Sequence, residues 1–260
     1  MTPDLDRDPS QDGVLRTPPE DAWALDRAEP SAALAPFLVW HWAVTWDLRD
    51  REPHHQVTLP HPSPHVVAEP DGVWLYGPQS RRFERTLEGA GRVVGTRFRP
   101  GAIRLLLGAP VSEVADARLD AAVLRGLDTA TLTSASTFRE LEAVLAPLLG
   151  DAPDPQAHLA DRAVAILEAD RSVVRVGQLA GLLGMSSRSV HRLFHEYVGL
   201  GPATVIRRYR LHDAAAAASS GGAIDWARLA ADLGYADQAH LVRDFRESVG
   251  APPGRYAAGG

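Results

Sequence analysis

The sequence predicts an α+β chain of more than one domain: a small N-terminal β-barrel or sandwich with trailing helices, then an all-α C-terminal domain. Three observations predict this. Short apolar runs punctuated by Pro, Asp-Gly and Gly fill residues 36–100. From Ile103 onward the apolar residues fall three and four apart. A segment that begins at Leu179 recurs at Leu229. The length of 260 residues suits two domains, each of roughly 100 to 150 residues. With 45% hydrophobic and 23% charged residues, the composition is that of an ordinary folded chain.

Each segment has its own reason. Residues 1–20 are acidic and Pro-rich with little to bury, and are expected to form a disordered leader. Within a first domain at 21–150, strands are expected at Phe37–Trp46, His54–Leu59, Val66–Ala68, Val73–Tyr76, Phe83–Leu87 and Val93–Phe98. Helices should follow at Ile103–Leu107, Ala117–Leu127 and Phe138–Leu149. The run Gly150-Asp151-Ala152-Pro153-Asp154-Pro155 supports neither helix nor ladder, so a linker is placed at 151–157 and a helical domain at 158–257.

The sequence has no cysteine, which excludes disulfides, thiolate zinc sites and a cysteine nucleophile. No uninterrupted apolar stretch is long enough to span a membrane, and the first residues lack an apolar targeting core, so the cytoplasm is the expected compartment. Lysine is absent and all 27 basic residues are arginine, which reads as the codon bias of a GC-rich bacterium. The net charge is -6, unevenly spread: residues 1–155 hold 15 Arg against 23 acids, and residues 156–260 hold 12 Arg against 10. The second part is therefore the basic one, but only slightly, and any affinity for nucleic acid has to be argued from where its arginines sit.

The repeat supplies that argument. Leu179-Ala180-Gly181-Leu182-Leu183-Gly184-Met185 matches Leu229-Ala230-Ala231-Asp232-Leu233-Gly234-Tyr235 at an offset of 50. One inserted residue later, Val190 pairs with Leu241, Arg192 with Arg243, Phe194 with Phe245, Val198 with Val249, Gly199 with Gly250 and Pro202 with Pro253. Each copy reads as a short helix, a Gly turn and a longer amphipathic helix. Ala180 and Ala230 are small enough for close helix crossing, and Gly184 and Gly234 can take the left-handed conformation that ends a helix. Ser186 or Ser187, and Asp237, can cap the next helix.

With Val190, Leu193, Phe194 and Val198 buried in the first copy, and Leu241, Phe245 and Val249 in the second, the outward faces follow from helical spacing. The candidate DNA-contacting residues are Ser187, Arg188, His191, Arg192 and His195, then Gln238, His240, Val242, Arg243 and Arg246. Arg pairs bidentately with guanine, Gln with adenine, and Val packs on a thymine methyl. Arginines kept outside a helical bundle for solubility are the competing reading. Two units in register, each with Arg at the equivalent outward position, argue against it.

On these residues the C-terminal part resembles the DNA-binding domain of the AraC/XylS family. The resemblance spans residues 158–257: the first unit at Val176–Gly199, a linker helix from about Pro202 with Ile206, Arg207, Arg210 and Leu211, the second unit at Trp226–Gly250, and the closing Pro253-Gly254-Arg255-Tyr256. It implies two recognition helices in successive major grooves, about 34 Å apart. This chain departs from the family at Ala214–Ala218, where leucines are usual, and at Ala257, where Arg is common. Trp40-His41-Trp42, Leu59-Pro60-His61-Pro62 and Gly95-Thr96-Arg97-Phe98-Arg99-Pro100-Gly101 resemble the cupin-like sensor domains that precede such modules. The resemblance implies a sequence-specific transcription regulator, not an enzyme, binding double-stranded promoter DNA as a homodimer. RNA polymerase and a small-molecule effector are its further candidate partners. The helices at 102–149 are the place to look for the dimer seam.

The competing function is a metal-dependent cupin-type enzyme with an accessory helical module. His54, His55, His61, His65 and Glu69 invite a metal reading, but Pro60, Pro62, Pro64 and Pro70 forbid the helix that would align the last three. A closely spaced His-x-His pair is also missing, so no metal, cofactor or catalytic group is expected. Trp40, Trp42, Trp46, Trp74 and Tyr76 could line an apolar ligand pocket with Arg97 and Arg99 at an anionic group. As large side chains in a small β domain they read more simply as core, and the ligand-binding residues are left unassigned.

Overall fold

In a computed structural model the described residues are 14–16, 20–219 and 224–257. The N-terminal half carries nine strands among them: β1 Val14–Arg16, β2 Trp23–Ala28, β3 Leu38–Leu48, β4 His54–Thr58, β5 His65–Glu69, β6 Gly72–Tyr76, β7 Phe83–Leu87, β8 Gly89–Phe98 and β9 Arg118–Asp120. They pair antiparallel into a three-stranded sheet, β1-β4-β7, and a six-stranded sheet, β2-β3-β8-β5-β6-β9. The sheets do not join into a closed barrel among the described residues, so the domain is a two-sheet β structure.

Alternation along the strands gives the large sheet two different faces. Ala43, Val66, Ala68, Val94 and Phe98 point outward to a buried core completed by helices α1 (Ile103–Leu107) and α2 (Phe138–Leu149), through Ile103, Leu106, Leu141, Leu145 and Leu149. A Thr137/Glu140 capping box starts α2, and buried His41 bridges Thr96 Oγ1 (2.6 Å) and Glu142 Oε1 (3.0 Å), fastening that helix to β3. The inner face carries Trp40, Trp42 and Trp46. The Trp42 and Trp46 rings lie over β8 where its glycines leave room: a Cβ at Gly95 would fall 2.8 Å from the Trp42 ring, and one at Gly91 would meet the Trp46 ring. Glu69 of β5 accepts from Arg85 of β7 across the gap between sheets (2.5 Å) and, within its own sheet, from Arg118 of β9 (2.9 Å) and Tyr76 of β6 (2.7 Å).

Two expectations change. Ala117–Leu127 is not a helix: Leu119 pairs with Leu75 in the sheet, and Asp120 accepts from the Ala122 amide (2.8 Å) to turn the chain into a 3-10 segment. Gly126, with φ of 78°, then ends any helical path. Within the expected leader, Val14–Arg16 forms an edge strand on β4, and Leu15 packs against the C-terminal domain; residues 1–13 and 17–19 of it lie outside the described residues.

The C-terminal half is helical: α3 Pro155–Ala169, α4 Val176–Leu183, α5 Ser187–Leu193, α6 Pro202–Ser219, α7 Trp226–Asp232, α8 Gln238–Val249 and α9 Pro253–Ala257. Helix α3 starts inside the expected linker, because Asp154 caps it and Pro155 stands at a first-turn position where the missing N–H costs nothing. Helix α6 serves two cores. Val205, Ile206 and Tyr209 close one with α3, α4 and α5; Leu211, Ala214 and Ala215 close the other with α7 and α8.

Two predictions follow from this packing. Burial alone would raise the Glu69 pKa, but its bonds to Arg85, Tyr76 and Arg118 outweigh burial and hold it below its ordinary value of 4.5. The stability it contributes is thus complete above that value and fades as pH falls through the lower folded one. Glu69→Gln should lower the urea midpoint at pH 7 and flatten its decline between about pH 5 and pH 3. Phe245 is fully buried at the centre of the second helical core. Phe245→Ala should cost about 3 to 5 kcal/mol, read as a lower urea midpoint with unchanged slope.

Candidate nucleic-acid interface

The two repeats fold alike, bond for bond. Gly184 and Gly234 take left-handed φ values of 65° and 69°. The amide of the next residue reaches back five positions in each: Met185 to Ala180 O at 2.9 Å, and Tyr235 to Ala230 O at 2.8 Å. These bonds are the helix-ending geometry that a Gly permits. Ser186 then caps α5 by accepting from the Ser189 amide (3.1 Å), and Asp237 caps α8 by accepting from the His240 amide (2.7 Å). Ala180 and Ala230 are buried at the crossings. Val190, Leu193, Phe194 and Val198 are buried in the first unit, as are Leu241, Phe245 and Val249 in the second.

With those stripes inside, Ser187, Arg188, His191 and Arg192 are exposed on α5, and Gln238, His240, Arg243 and Arg246 on α8, with Val242 half-buried among them. The N-terminal domain covers neither arginine of the equivalent pair, Arg192 and Arg243. His195 has a different place. It lies beyond α5 in a wide π turn, Phe194–Val198, that breaks the α spacing relating it to His191, and its Nε2 meets Ser112 Oγ of the N-terminal domain at 3.0 Å. It is exposed like the others and makes this interdomain contact in addition.

The second recognition helix is braced from behind by charge. Arg207 of α6 pairs with Asp244 and, at 3.1 Å, with Glu247 of α8. Buried Asp244 also accepts from the Tyr235 hydroxyl at 2.7 Å, and the Arg210 guanidinium lies 3.8 Å from the Tyr235 ring centroid. Burial, and then the bond to Asp244, hold the Tyr235 hydroxyl above the ordinary phenol range, so it stays a donor. Arg243 and His240 open the same cleft to solvent. The sequence pattern picked out Arg207 and Arg210 but not the partners that hold them, since the ion pairs join residues 37 and more positions apart in two helices.

Helix α6 is also fixed to the N-terminal domain. Arg208 is buried and donates to the carbonyls of Pro60 (3.0 Å), Gln79 (3.2 Å) and Arg81 (3.3 Å). Burial draws its pKa down to about 10, which leaves it charged near neutrality. His61 stacks on His212 with ring centroids 4.6 Å apart. Arg208 was missed by sequence reasoning, although its place three residues after Val205 and three before Leu211 puts it on the buried face. The Ala214–Ala218 run, where larger side chains were anticipated from the family, lets Leu59 of the N-terminal domain join the second helical core.

The histidines weighed as metal ligands are dispersed. His54 and His55 lie on β4, His61 faces α6, and His65 and Glu69 lie on β5. Among the described residues, no three His, Cys, Asp or Glu side chains are placed to hold a metal ion. Trp46 belongs to a buried cluster against which Trp42 and Tyr76 pack, and with Trp40 these residues also wall a cavity of about 210 Å³ between the two sheets. Arg97 lines it. Arg99 does not, donating to Ala35 O (2.7 Å) and Asp161 (3.4 Å) instead. Trp74 lies outside the cavity under the Arg118 guanidinium.

Comparison with known proteins matches residues 179–259 to a family described as helix-turn-helix domain, and residues 26–120 to a domain of unknown function, DUF6597. No protein of curated function matches. Similar solved structures include the C-terminal domain of AraT, a response regulator from Geobacillus stearothermophilus, at 19% identity over 41% of this chain and 87% of that one, with a TM-score of 0.36. A probable AraC family transcriptional regulator from Rhodopseudomonas palustris is 24% identical over 39% of this chain and 95% of its own, with a TM-score of 0.35. ToxT from Vibrio cholerae is 10% identical over 91% of this chain and 98% of its own, with a TM-score of 0.42. Among the described residues no helix is long and apolar enough to cross a membrane. The matched segment holds both repeats from Leu179 on, their turns built alike and their arginines facing outward, and it is a helix-turn-helix domain.

Proposed function

We propose that the exposed faces of α5 and α8 read two successive major-groove segments of a promoter, and that the N-terminal domain controls this through an effector, a dimer partner or both. The observation that carries the reading is the duplication itself: two capped helices with Arg192 and Arg243 at equivalent, exposed positions. In this assignment Ser187, Arg188, His191 and Arg192 serve the first groove, and Gln238, His240, Val242, Arg243 and Arg246 the second. Arginine and glutamine are the side chains suited to bidentate contact with guanine and adenine edges. His195 joins the first set, its Nε2 also meeting Ser112 Oγ.

The domain division follows the same logic: a sensing unit at 21–150, a connection at 151–157 and a DNA-binding unit at 158–257. A homodimer seam is assigned to the segment after the strands, where Leu105 and Val123 are exposed apolar side chains. The proposed compartment is the cytoplasm, where promoter DNA and RNA polymerase are available to it.

Footprinting on the region upstream of its own gene should show two protected major-groove segments about one helical turn apart for each protomer. Arg192→Ala and Arg243→Ala should each weaken specific binding by roughly 1 to 3 kcal/mol while leaving the fold intact by circular dichroism. Unchanged affinity in both variants would remove the assigned roles.

A further inference from the structure

The outward faces of α5 and α8 share a scaffold but not a chemistry. In the register fixed by the buried pairs Val190/Leu241 and Phe194/Phe245, four outward positions coincide: Ser187 with Gln238, Arg188 with Ala239, His191 with Val242 and Arg192 with Arg243. Seven of these side chains are exposed, and Val242 is half-buried. The last-named pair of arginines is the identical one. Two of the others replace a hydrogen-bonding side chain of α5 by an apolar one on α8, and the third replaces a hydroxyl by an amide. Ala239 and Val242, three residues apart, are neighbours on the helix surface.

These side chains are free to meet a partner. Among the described residues the guanidinium groups of Arg188, Arg192 and Arg243 enter no ion pair, hydrogen bond or ring contact. The arginines of α6 differ: Arg207 is held by Asp244, Arg208 by three carbonyls and Arg210 by the Tyr235 ring. Ser189 is tied to the Ser186 hydroxyl at 2.9 Å, and His240, its equivalent, lies edge-on to Tyr235 with centroids 5.2 Å apart, so neither is assigned a base.

Base edges answer these differences. In the major groove guanine offers two acceptors, which a guanidinium meets with two N–H groups. Adenine offers an acceptor beside a donor, which a Gln amide matches, and thymine alone presents a methyl, against which Ala and Val pack. An imidazole N–H donates to a guanine acceptor and gains nothing from a methyl. Residues four apart on a helix are about 6 Å apart along its axis, close to two base-pair steps. Arg188 and Arg192 thus reach two guanines about two steps apart, whereas Ala239 and Arg243 reach a thymine methyl and a guanine at the same separation.

We infer that the two half-sites are unequal in base content. Each carries one guanine, read by Arg192 on α5 and by Arg243 on α8. About two steps away the α5 half-site carries a second guanine, for Arg188 with His191 beside it. The α8 half-site carries A·T pairs there, with adenine at Gln238 and thymine methyls at Ala239 and Val242. The inference rests on the proposed reading of two grooves and gives each groove its base class.

The test is selection by the full chain from duplexes with two randomised segments one helical turn apart, followed by binding to the enriched site at fixed salt. The enriched site should show that unequal pair of segments. Uracil in place of thymine removes a methyl alone, and should weaken binding severalfold in the A·T-bearing segment. Replacing the second guanine of the other segment by 7-deazaguanine, which lacks the N7 acceptor, should weaken binding roughly tenfold and leave Arg188→Ala unaffected. On reselection, Arg188→Ala combined with His191→Val should turn the first segment to A·T pairs, and Ala239→Arg should bring a second guanine into the other. Two like segments, unequal segments of other bases, or variants that keep the original site overturn the base assignment and leave the groove reading standing. A library that yields no enriched sequence overturns that reading and this inference with it.

Discussion

Helix α6 has to satisfy three surfaces at once, and most of the molecule is arranged around that demand. One stretch of it closes the core of the first DNA-binding unit, another closes the second, and its third face carries Arg208 into the N-terminal domain. A buried guanidinium stays charged in such a place only if fixed acceptors replace the water it loses, and three backbone carbonyls do so. The contact therefore constrains both domains, and neither loop nor helix can shift without a cost to the other.

This arrangement separates the reading surface from the regulatory one. The outward arginines of α5 and α8 face solvent, while the elements behind them are bound inward by apolar packing and ion pairs. A recognition helix braced by Asp244, Arg207 and Tyr235 holds its exposed residues in a defined orientation before DNA arrives, which reduces the ordering cost of binding. The N-terminal domain contacts the back of that assembly through Arg208 and leaves its outward face exposed.

Much of the C-terminal domain was legible in the sequence because its determinants are local. Gly184 and Gly234 are needed for left-handed turns, Ser186 and Asp237 for caps, and the buried stripes repeat every three or four residues. The strands of the first domain were legible for the same reason, and α2 was found with the same bounds, its Thr137-Glu140 box being a four-residue signal. What escaped is non-local. Leu119 lies in a helix-like apolar pattern, yet it pairs with Leu75 across the sheet. The tryptophans were taken as core because their faces are apolar. Whether a ring fills a space or only walls it depends on the opposite sheet, which no single strand encodes. The contact between exposed His195 and Ser112 joins residues 83 positions apart.

The length of α6 carries one more consequence. Its 18 residues form a rod of about 27 Å with both DNA-binding units packed directly on it. A rod of this kind does not absorb torsion as a coil linker would, so the phase between the two half-sites is set by the protein and not by the promoter. On the proposed reading, operators for such a chain should tolerate base changes within each half-site more readily than the gain or loss of a few base pairs between them, because a change of spacing rotates one half-site around the duplex and away from its helix.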